Sequence, residues 1–364
     1  MNIVMLLTNS FNPDVRVYKE AVYLLGQGHQ VTILCWDREA QSSLPRKEKK
    51  DGIRILRFHI PSVAGSGYHQ IGAYLKYVKA CRGYLAKHQV DFVHCHDLDG
   101  MMAYKLSGKS GVPYVFDMHE NYIIGGKIRK FISKRVVEHC IKGSRKSIAV
   151  LPVESVKVSS RLLHKIVTLR NYPDSSYLSY HEKTPSSIFR IGYHGCVRSQ
   201  VPYFQALFEA CKDMEDVRID INGEGIDLPK LKEMEKAYPN VYVHGEYDGL
   251  KESNRLYQDT DLLFCGYNAK NPNYQGETEV VKFYEAIITG TPMIMTEGIG
   301  MADKVRKFGL GFVVDPEDAD SIKEVVLKVL SHPEMLEECR RKMLDKADDY
   351  KWEHAVKVLD TIYQ

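Results

Sequence analysis

The chain has 364 residues, 44% hydrophobic and 27% charged, the make-up of a folded globular protein with length for two domains that each bury a core. No apolar run reaches the ~18 residues of a membrane span, and the opening MNIVMLLT, with no basic stretch or cleavage site, reads as a first strand rather than a signal peptide. The net charge of +3 conceals an uneven division: residues 1–165 carry 26 Lys and Arg against 13 Asp and Glu, whereas 166–364 carry 24 against 34. The positive half calls for an anionic surface or acceptor. With no aromatic stacking pattern and no nucleic-acid motif, membrane lipid is preferred to nucleic acid. Cysteines 35, 81, 95, 140, 196, 211, 265 and 339 are dispersed and form no C-x-x-C pair, which fits a reduced, cytoplasmic protein.

In chain order, NIVMLLT leads into a helix over 14–27, then QVTILCW, IRILRF, a helix over 70–87, VDFVHCH, a helix over 99–107, PYVFDMH, a basic helix from Lys127 to Ile141, SIAVLP and IVTLRN. Such alternation predicts a parallel sheet covered on both faces, with ligands beyond the carboxyl ends of its strands. After the first strand, Asn9 and Asn12 suit a tight turn and Asp14 a helix cap, and Arg16 projects from the first helical turn toward a phosphate, an acceptor or a surface salt bridge. In DFVHCHDLDG the ligand types His94, Cys95, His96 and Asp97 point alternately to opposite faces of a strand and so cannot all converge on one metal. Asp97 and Asp99 match a D-x-D pattern that elsewhere carries a divalent cation, or they cap a helix. Asp117, His119 and Glu120 stand where a buried strand ends. Residues 127–146 hold eight basic residues and one acid around an apolar stripe, the profile of a helix on an anionic surface or of an ordinary helix with a solvated basic face.

The polar segment after Tyr172 reads as a connector. FRIGYHG then opens a second α/β unit with helices over 201–211, 228–237 and 249–258 and strands VRIDING, VYVHGE and DLLFCG. Gly195 and Gly223 end strands, which fits either close approach of backbone to a nucleotide or turn chemistry. Arg198 and Tyr247 also follow strand ends. In QGETEVVKFYEAIITGTPMIMT, Glu277 lies in a loop and Glu285 about two turns into a helix that Gly290 and Pro292 end; a buried strand follows.

Several strings in this order resemble family-4 retaining glycosyltransferases of GT-B fold: PDVRVYKEA before GHQVT, HCHDL, FDMHE, the acid-x7-acid string with A-x-x-x-G-x-P, and YKWE near residue 350. The resemblance implies two doubly wound Rossmann-like α/β domains facing a cleft: an acceptor domain over 1–172, a nucleotide-sugar domain over 186–348, and a helix over 349–364 bracing the first. It implies that His119 contacts the donor sugar with Glu277, that Glu285 holds the ribose hydroxyls, and that Arg198 and Lys282, with Gly195, Gly223 and Tyr247, serve the donor. Asn9, Arg16 and Glu120 fall on the acceptor side. The chain departs from the family in three places: no glycine lies between Leu7 and Gly26, Ser199-Gln200-Val201-Pro202 replaces a second base, and Glu277-Thr278-Glu279-Val280 replaces a glycine-rich string.

The expected activity is metal-independent transfer, without a cofactor, of a sugar from a nucleotide diphosphate sugar to a hydroxyl acceptor in bacterial surface polysaccharide or glycolipid synthesis. A lipid-linked acceptor would place the protein at the inner face of the plasma membrane. The rival readings are a nucleotide-sugar epimerase or hydrolase of the same architecture and a catalytically silent partner.

Overall fold

The computed structural model describes residues 1–12, 14–39, 44–62, 67–108, 111–123, 125–183, 186–271, 274 and 280–363. The chain separates into two compact units, Met1–Asn171 with Val356–Gln364, and Tyr172–Ala355. Each is a twisted sheet covered by helices on both faces.

Unit 1 contains β1 (Asn2–Leu7), α1 (Val15–Gly26), β2 (Gln30–Asp37), β3 (Lys47–Lys50), β4 (Ile53–His59), α2 (Ile71–Lys87), β5 (Phe92–His96), α3 (Asp97–Leu106), β6 (Tyr114–Met118), α4 (Lys127–Gly143), β7 (Lys146–Ala149) and β8 (Ile166–Thr168). The sheet order is β3-β4-β2-β1-β5-β6-β7-β8, parallel except for β3 against β4. The order reverses between β1 and β5, the switch point at which such sheets open a crevice. Asp14 starts α1 by accepting from the Val17 amide at 3.1 Å, a cap worth about 1 kcal/mol. On β5 the two-residue period sends Cys95 into the core beneath α2, α3 and α4, while His94 and His96 face the opposite way.

Unit 2 contains β9 (Phe189–His194), α5 (Val201–Cys211), β10 (Val217–Asn222), α6 (Leu228–Glu235), β11 (Val241–Gly245), α7 (Ser253–Gln258), β12 (Leu262–Cys265), α8 (Val281–Thr289), β13 (Met293–Thr296), α9 (Gly300–Phe308), β14 (Gly311–Val314), α10 (Ala319–Ser331), α11 (Glu334–Ala347) and α12 (Trp352–Ala355). Its strands are all parallel, in the order β11-β10-β9-β12-β13-β14. One apolar core packs α5 and α10 on one face of the sheet and a second packs α8 and α9 on the other. Gly290 ends α8 at φ +63, a left-handed conformation that suits glycine. Both units are therefore doubly wound, Rossmann-like α/β folds.

Candidate functional site

In unit 2 a cavity of about 710 Å³ opens at the switch point, above the carboxyl ends of β9 and β12. Its lining includes Gly195, Arg198, Tyr247, Lys282 and Glu285. Lys282 reaches it from the first turn of α8, only 8% exposed, with Nζ 3.4 Å from the centre of the Tyr193 ring and 5.7 Å from that of Tyr267. Among the described residues no carboxylate lies within ion-pair distance of that ammonium, and burial lowers its pKa to about 8. A Cβ on Gly195 would stand 3.4 Å from Lys282 Nζ, so the lysine lies against the backbone of the loop after β9. One turn into α8, Glu285 accepts a hydrogen bond from the Tyr257 hydroxyl at 2.8 Å. His194, at the end of β9, has Asn222 and Thr260 on its two ring nitrogens, and burial followed by the charge of Lys282 pushes it down to about 3. It is a neutral imidazole beside the cavity. Arg198 is exposed at the rim. Glu277 lies outside the described residues.

Gly223 requires a correction: it does not line the cavity. At φ +143, a Cβ there would come 1.9 Å from the Gly195 carbonyl oxygen, so its lack of a side chain lets the backbone pack under the Gly195 loop rather than against a ligand. Gln200 anchors the same loop, donating to the Gly266 carbonyl at 2.7 Å and accepting from the Tyr193 hydroxyl at 2.7 Å. Tyr193, Tyr267, Asn268 and Tyr274 line the cavity and were not expected. Tyr267 and Asn268 follow β12 closely, so weighting every strand end equally would have found them.

In unit 1 a charged cluster is sealed beneath α1. Arg16 and Glu20, one helical turn apart, face His94 and His96 of β5 and Asp117 of β6, and all five are at most 5% exposed. Arg16 holds Asp117 with Nη2 at 2.9 Å and Nε at 3.2 Å, and donates to the Leu169 carbonyl at 3.0 Å. The expectation that Arg16 meets an acceptor or forms a surface pair is therefore corrected: its fork is spent inside the unit. Burial opposes ionisation of Asp117, yet Arg16 and His119 hold its carboxyl well below the usual range. His119 places Nε2 at 2.8 Å from Asp117 and Nδ1 at 3.5 Å from Asp97. Burial works against its charge, but these carboxylates raise it to about 9. Burial, with Asp117 nearby, pushes Glu20 up to about 8. The Tyr363 hydroxyl closes the cluster, 2.8 Å from His94 Nδ1.

Asn9 builds its own loop, donating to Asp14 at 2.9 Å and accepting from the Phe11 amide at 2.8 Å. Glu120 is exposed, and Asp117 rather than Glu120 orients His119. Glu20, His94, His96 and Asp117 bring metal-ligand atoms within 4.8 Å of one another, so ligand types from separate elements do gather where neighbours along one strand could not. Their geometry suits a metal poorly, because the His94 and His96 rings are stacked at 16° with centres 4.3 Å apart. Their in-plane lone pairs run side by side rather than toward one point, and Arg16 already supplies positive charge. Asp97 and Asp99 diverge, the first to Tyr122 and His119 and the second to Arg38.

Residues 13–153 match the family described as a glycosyl transferase 4-like domain, and residues 200–345 match glycosyl transferases group 1. A probable sucrose-phosphate synthase 2 of Craterostigma plantagineum is 37% identical over 116 residues, 32% of this chain and 10% of that protein. A probable sucrose-phosphate synthase of Vicia faba is 33% identical over 127 residues, 35% of this chain and 11% of that protein. The matches thus span about a tenth of those relatives' length. Among solved structures, the sucrose-phosphate synthase of Thermosynechococcus elongatus superposes with a TM-score of 0.78 at 14% identity, covering 100% of this chain and 98% of that one. Anabaena HepE in complex with UDP and glucose does so at 0.67 and 12%, covering 100% of both. Two family matches in order along a chain with a doubly wound sheet in each unit settle the membership: it belongs to the family-4 type glycosyltransferases of GT-B fold.

Proposed function

We propose that this glycosyltransferase moves a sugar, with retention, from a nucleoside diphosphate sugar to a hydroxyl acceptor. One observation carries the reading: a buried ammonium, Lys282, lines a cavity beside the backbone of Gly195 with no carboxylate at ion-pair distance among the described residues. A diphosphate supplies the anion this geometry suits. Negative charge grows on the leaving phosphate as the sugar bond breaks, and a fixed cation lowers that barrier without reorganising. Glu285, oriented by Tyr257, offers its carboxylate to vicinal ribose hydroxyls, and Arg198 adds charge at the rim. His119 and Glu277 are assigned to the sugar on the family resemblance. The bound UDP of HepE supports a nucleoside diphosphate donor.

The exposed basic helix α4 supports a lipid-linked acceptor at an anionic membrane, in glycan or glycolipid assembly on the cytoplasmic side. Among the described residues no helix is long and apolar enough to cross a membrane, so residence there would be peripheral. A thermal-shift screen over UDP-, ADP- and GDP-sugars tests the donor, since a ligand of the native state raises the melting point. A rise with one nucleotide class, lost in Glu285→Ala, is expected. No shift with any of them refutes the donor assignment. Sugar release from donor alone, without transfer to any acceptor, would favour a hydrolase.

A further inference from the structure

Among its described residues unit 1 gathers six exposed large apolar side chains into two clusters, while Met1, Val22 and Leu106 are exposed singly. Tyr68, Ile71 and Leu75 are 75%, 55% and 51% exposed, and Ile128, Phe131 and Ile132 are 79%, 62% and 56% exposed. The spacings i, i+3, i+7 and i, i+3, i+4 place each trio in one stripe, the first along the turn Gly67–Gln70 and the start of α2, the second along the start of α4. Both helices follow a strand of the parallel sheet, so both starts stand at its carboxyl end. Both also lie on one face, because Tyr77, Cys81 and Leu85 of α2 share a core with Val137, Cys140 and Ile141 of α4. With α3 between them in sheet order, the stripes are roughly 20 Å apart, two helix spacings of about 10 Å.

The charges on the two helices are nearly all positive, and the acid beside the first stripe, Asp99 at Tyr74, is paired with Arg38 at 3.6 Å. Helix α2 carries Lys76, Lys79, Arg82 and Lys87 and no acid, and α4 carries Lys127, Arg129, Lys130, Lys134, Arg135 and Lys142 with Glu138 alone. Glu138 is engaged at home, accepting from the Ser159 amide at 2.8 Å and lying 3.8 Å from Lys134. Protein–protein interfaces are poor in lysine. Apolar side chains ringed by lysine and arginine complement acyl chains beneath anionic headgroups.

We propose that the starts of α2 and α4 form one two-pronged docking surface for an anionic lipid bilayer, which holds the carboxyl end of the unit 1 sheet at the headgroups. This rests on the membrane reading of α4 given above and adds a second prong that fixes orientation, since a single helix leaves the unit free to roll about its axis.

The test is co-sedimentation with phosphatidylcholine vesicles, with and without phosphatidylglycerol, comparing the wild type with Ile71→Ser/Leu75→Ser and Ile128→Ser/Phe131→Ser. Each pair removes two inserting side chains and is expected to weaken binding to the anionic vesicles at least about tenfold, with salt weakening all of it. As a check independent of folding defects, the fluorescence of a Leu75→Trp variant should be quenched by bromine-labelled lipid, against a low background because Trp36 and Trp352 are 1% and 3% exposed. Unchanged binding of the α2 pair, together with no quenching in the Leu75→Trp variant, overturns the second prong and leaves α4 as a lone contact. No binding of the wild type, or equal binding without phosphatidylglycerol, overturns the whole surface. Nucleotide-induced thermal shifts, measured on the same proteins, are expected to be unchanged, so failure here is distinguishable from failure of the donor assignment.

Discussion

Lys282→Met should make the unliganded protein more stable and the nucleotide complex weaker. The lysine's pKa falls from 10.5 to about 8 because its charge is buried, and a drop of that size is a cost of about 3 kcal/mol for holding the proton at neutral pH. The Tyr193 ring, 3.4 Å from Nζ, returns about 1–2 kcal/mol through its cation–π attraction. Methionine keeps the unbranched shape and removes both terms, for a net gain of about 1–2 kcal/mol and a rise of about 2–8 °C in the melting of a unit this size. A charged hydrogen bond to phosphate is lost in exchange, about 1.5–3 kcal/mol, or roughly tenfold to over a hundredfold in affinity.

The pH dependence has a definite sign. A lysine whose folded pKa lies below its unfolded value contributes stability above about 10.5 and loses it as pH falls through about 8. The melting advantage of the methionine variant should therefore be absent at the alkaline extreme, grow as pH falls, and level off below 8. Differential scanning calorimetry from pH 7 to 10.5, paired with titration of nucleoside diphosphate by calorimetry, reads both quantities. A variant less stable at every pH that binds the nucleotide as well as the wild type would show that Lys282 is structural.

Glu285→Ala is expected to weaken nucleotide-sugar binding by about 1.5–3 kcal/mol. Tyr257→Phe should cost less, and little more once Glu285 is gone, a coupling that a calorimetric double-mutant cycle measures. Asp117→Asn leaves the buried Arg16 with Glu20 as its remaining carboxylate, 3.1 Å away, and should destabilise the protein in urea unfolding by less than the cost of a fully unpaired buried charge, about 3–5 kcal/mol. The same change should lower the His119 titration from about 9, followed by NMR; in the wild type the stability from that raised pKa is complete below about 6.5 and is lost as pH rises through 9. Transferase activity should survive excess EDTA, since Asp97 and Asp99 diverge; loss restored only by Mn²⁺ or Mg²⁺ would reinstate them as metal ligands.

The alternation of strands and helices was legible because buried parallel strands are dense apolar runs, and α5 starts and stops at Val201 and Cys211 as its pattern indicates. The edge strand β3 escaped notice because KEKK has no apolar signal at all. It pairs with β4 through its backbone, and its charges are what an edge needs to discourage further pairing. Strand-end reasoning reached Gly195, and the family resemblance reached Lys282 and Glu285, all on the cavity, but Arg16 and Gly223 were misjudged. Arg16 lies one turn from Glu20, and only the packing of α1 over β5 and β6 shows that both face Asp117 and two histidines. That arrangement joins residues a hundred positions apart, and no local pattern encodes it. Gly223 answers to another backbone, a demand that looks in sequence the same as a ligand's.

The two clusters of charge place opposite requirements on the fold. Beneath α1, Arg16 and His119 face Asp117, Glu20 and Asp97 within the same unit, so the cations there are balanced by the chain and need no ligand to be stable. Such a network fixes His119 in place, and the Asp117 carboxylate is what allows a nearly sealed imidazole to keep its proton against burial and the charge of Arg16. In unit 2 the buried Lys282 faces aromatic rings rather than an ion-paired carboxylate among the described residues. A chain selected only for stability would place methionine or leucine at that position. The cost of keeping an ammonium there, at the mouth of a doubly wound sheet, would be offset by a bound diphosphate, which is the physical reason for proposing donor binding in unit 2.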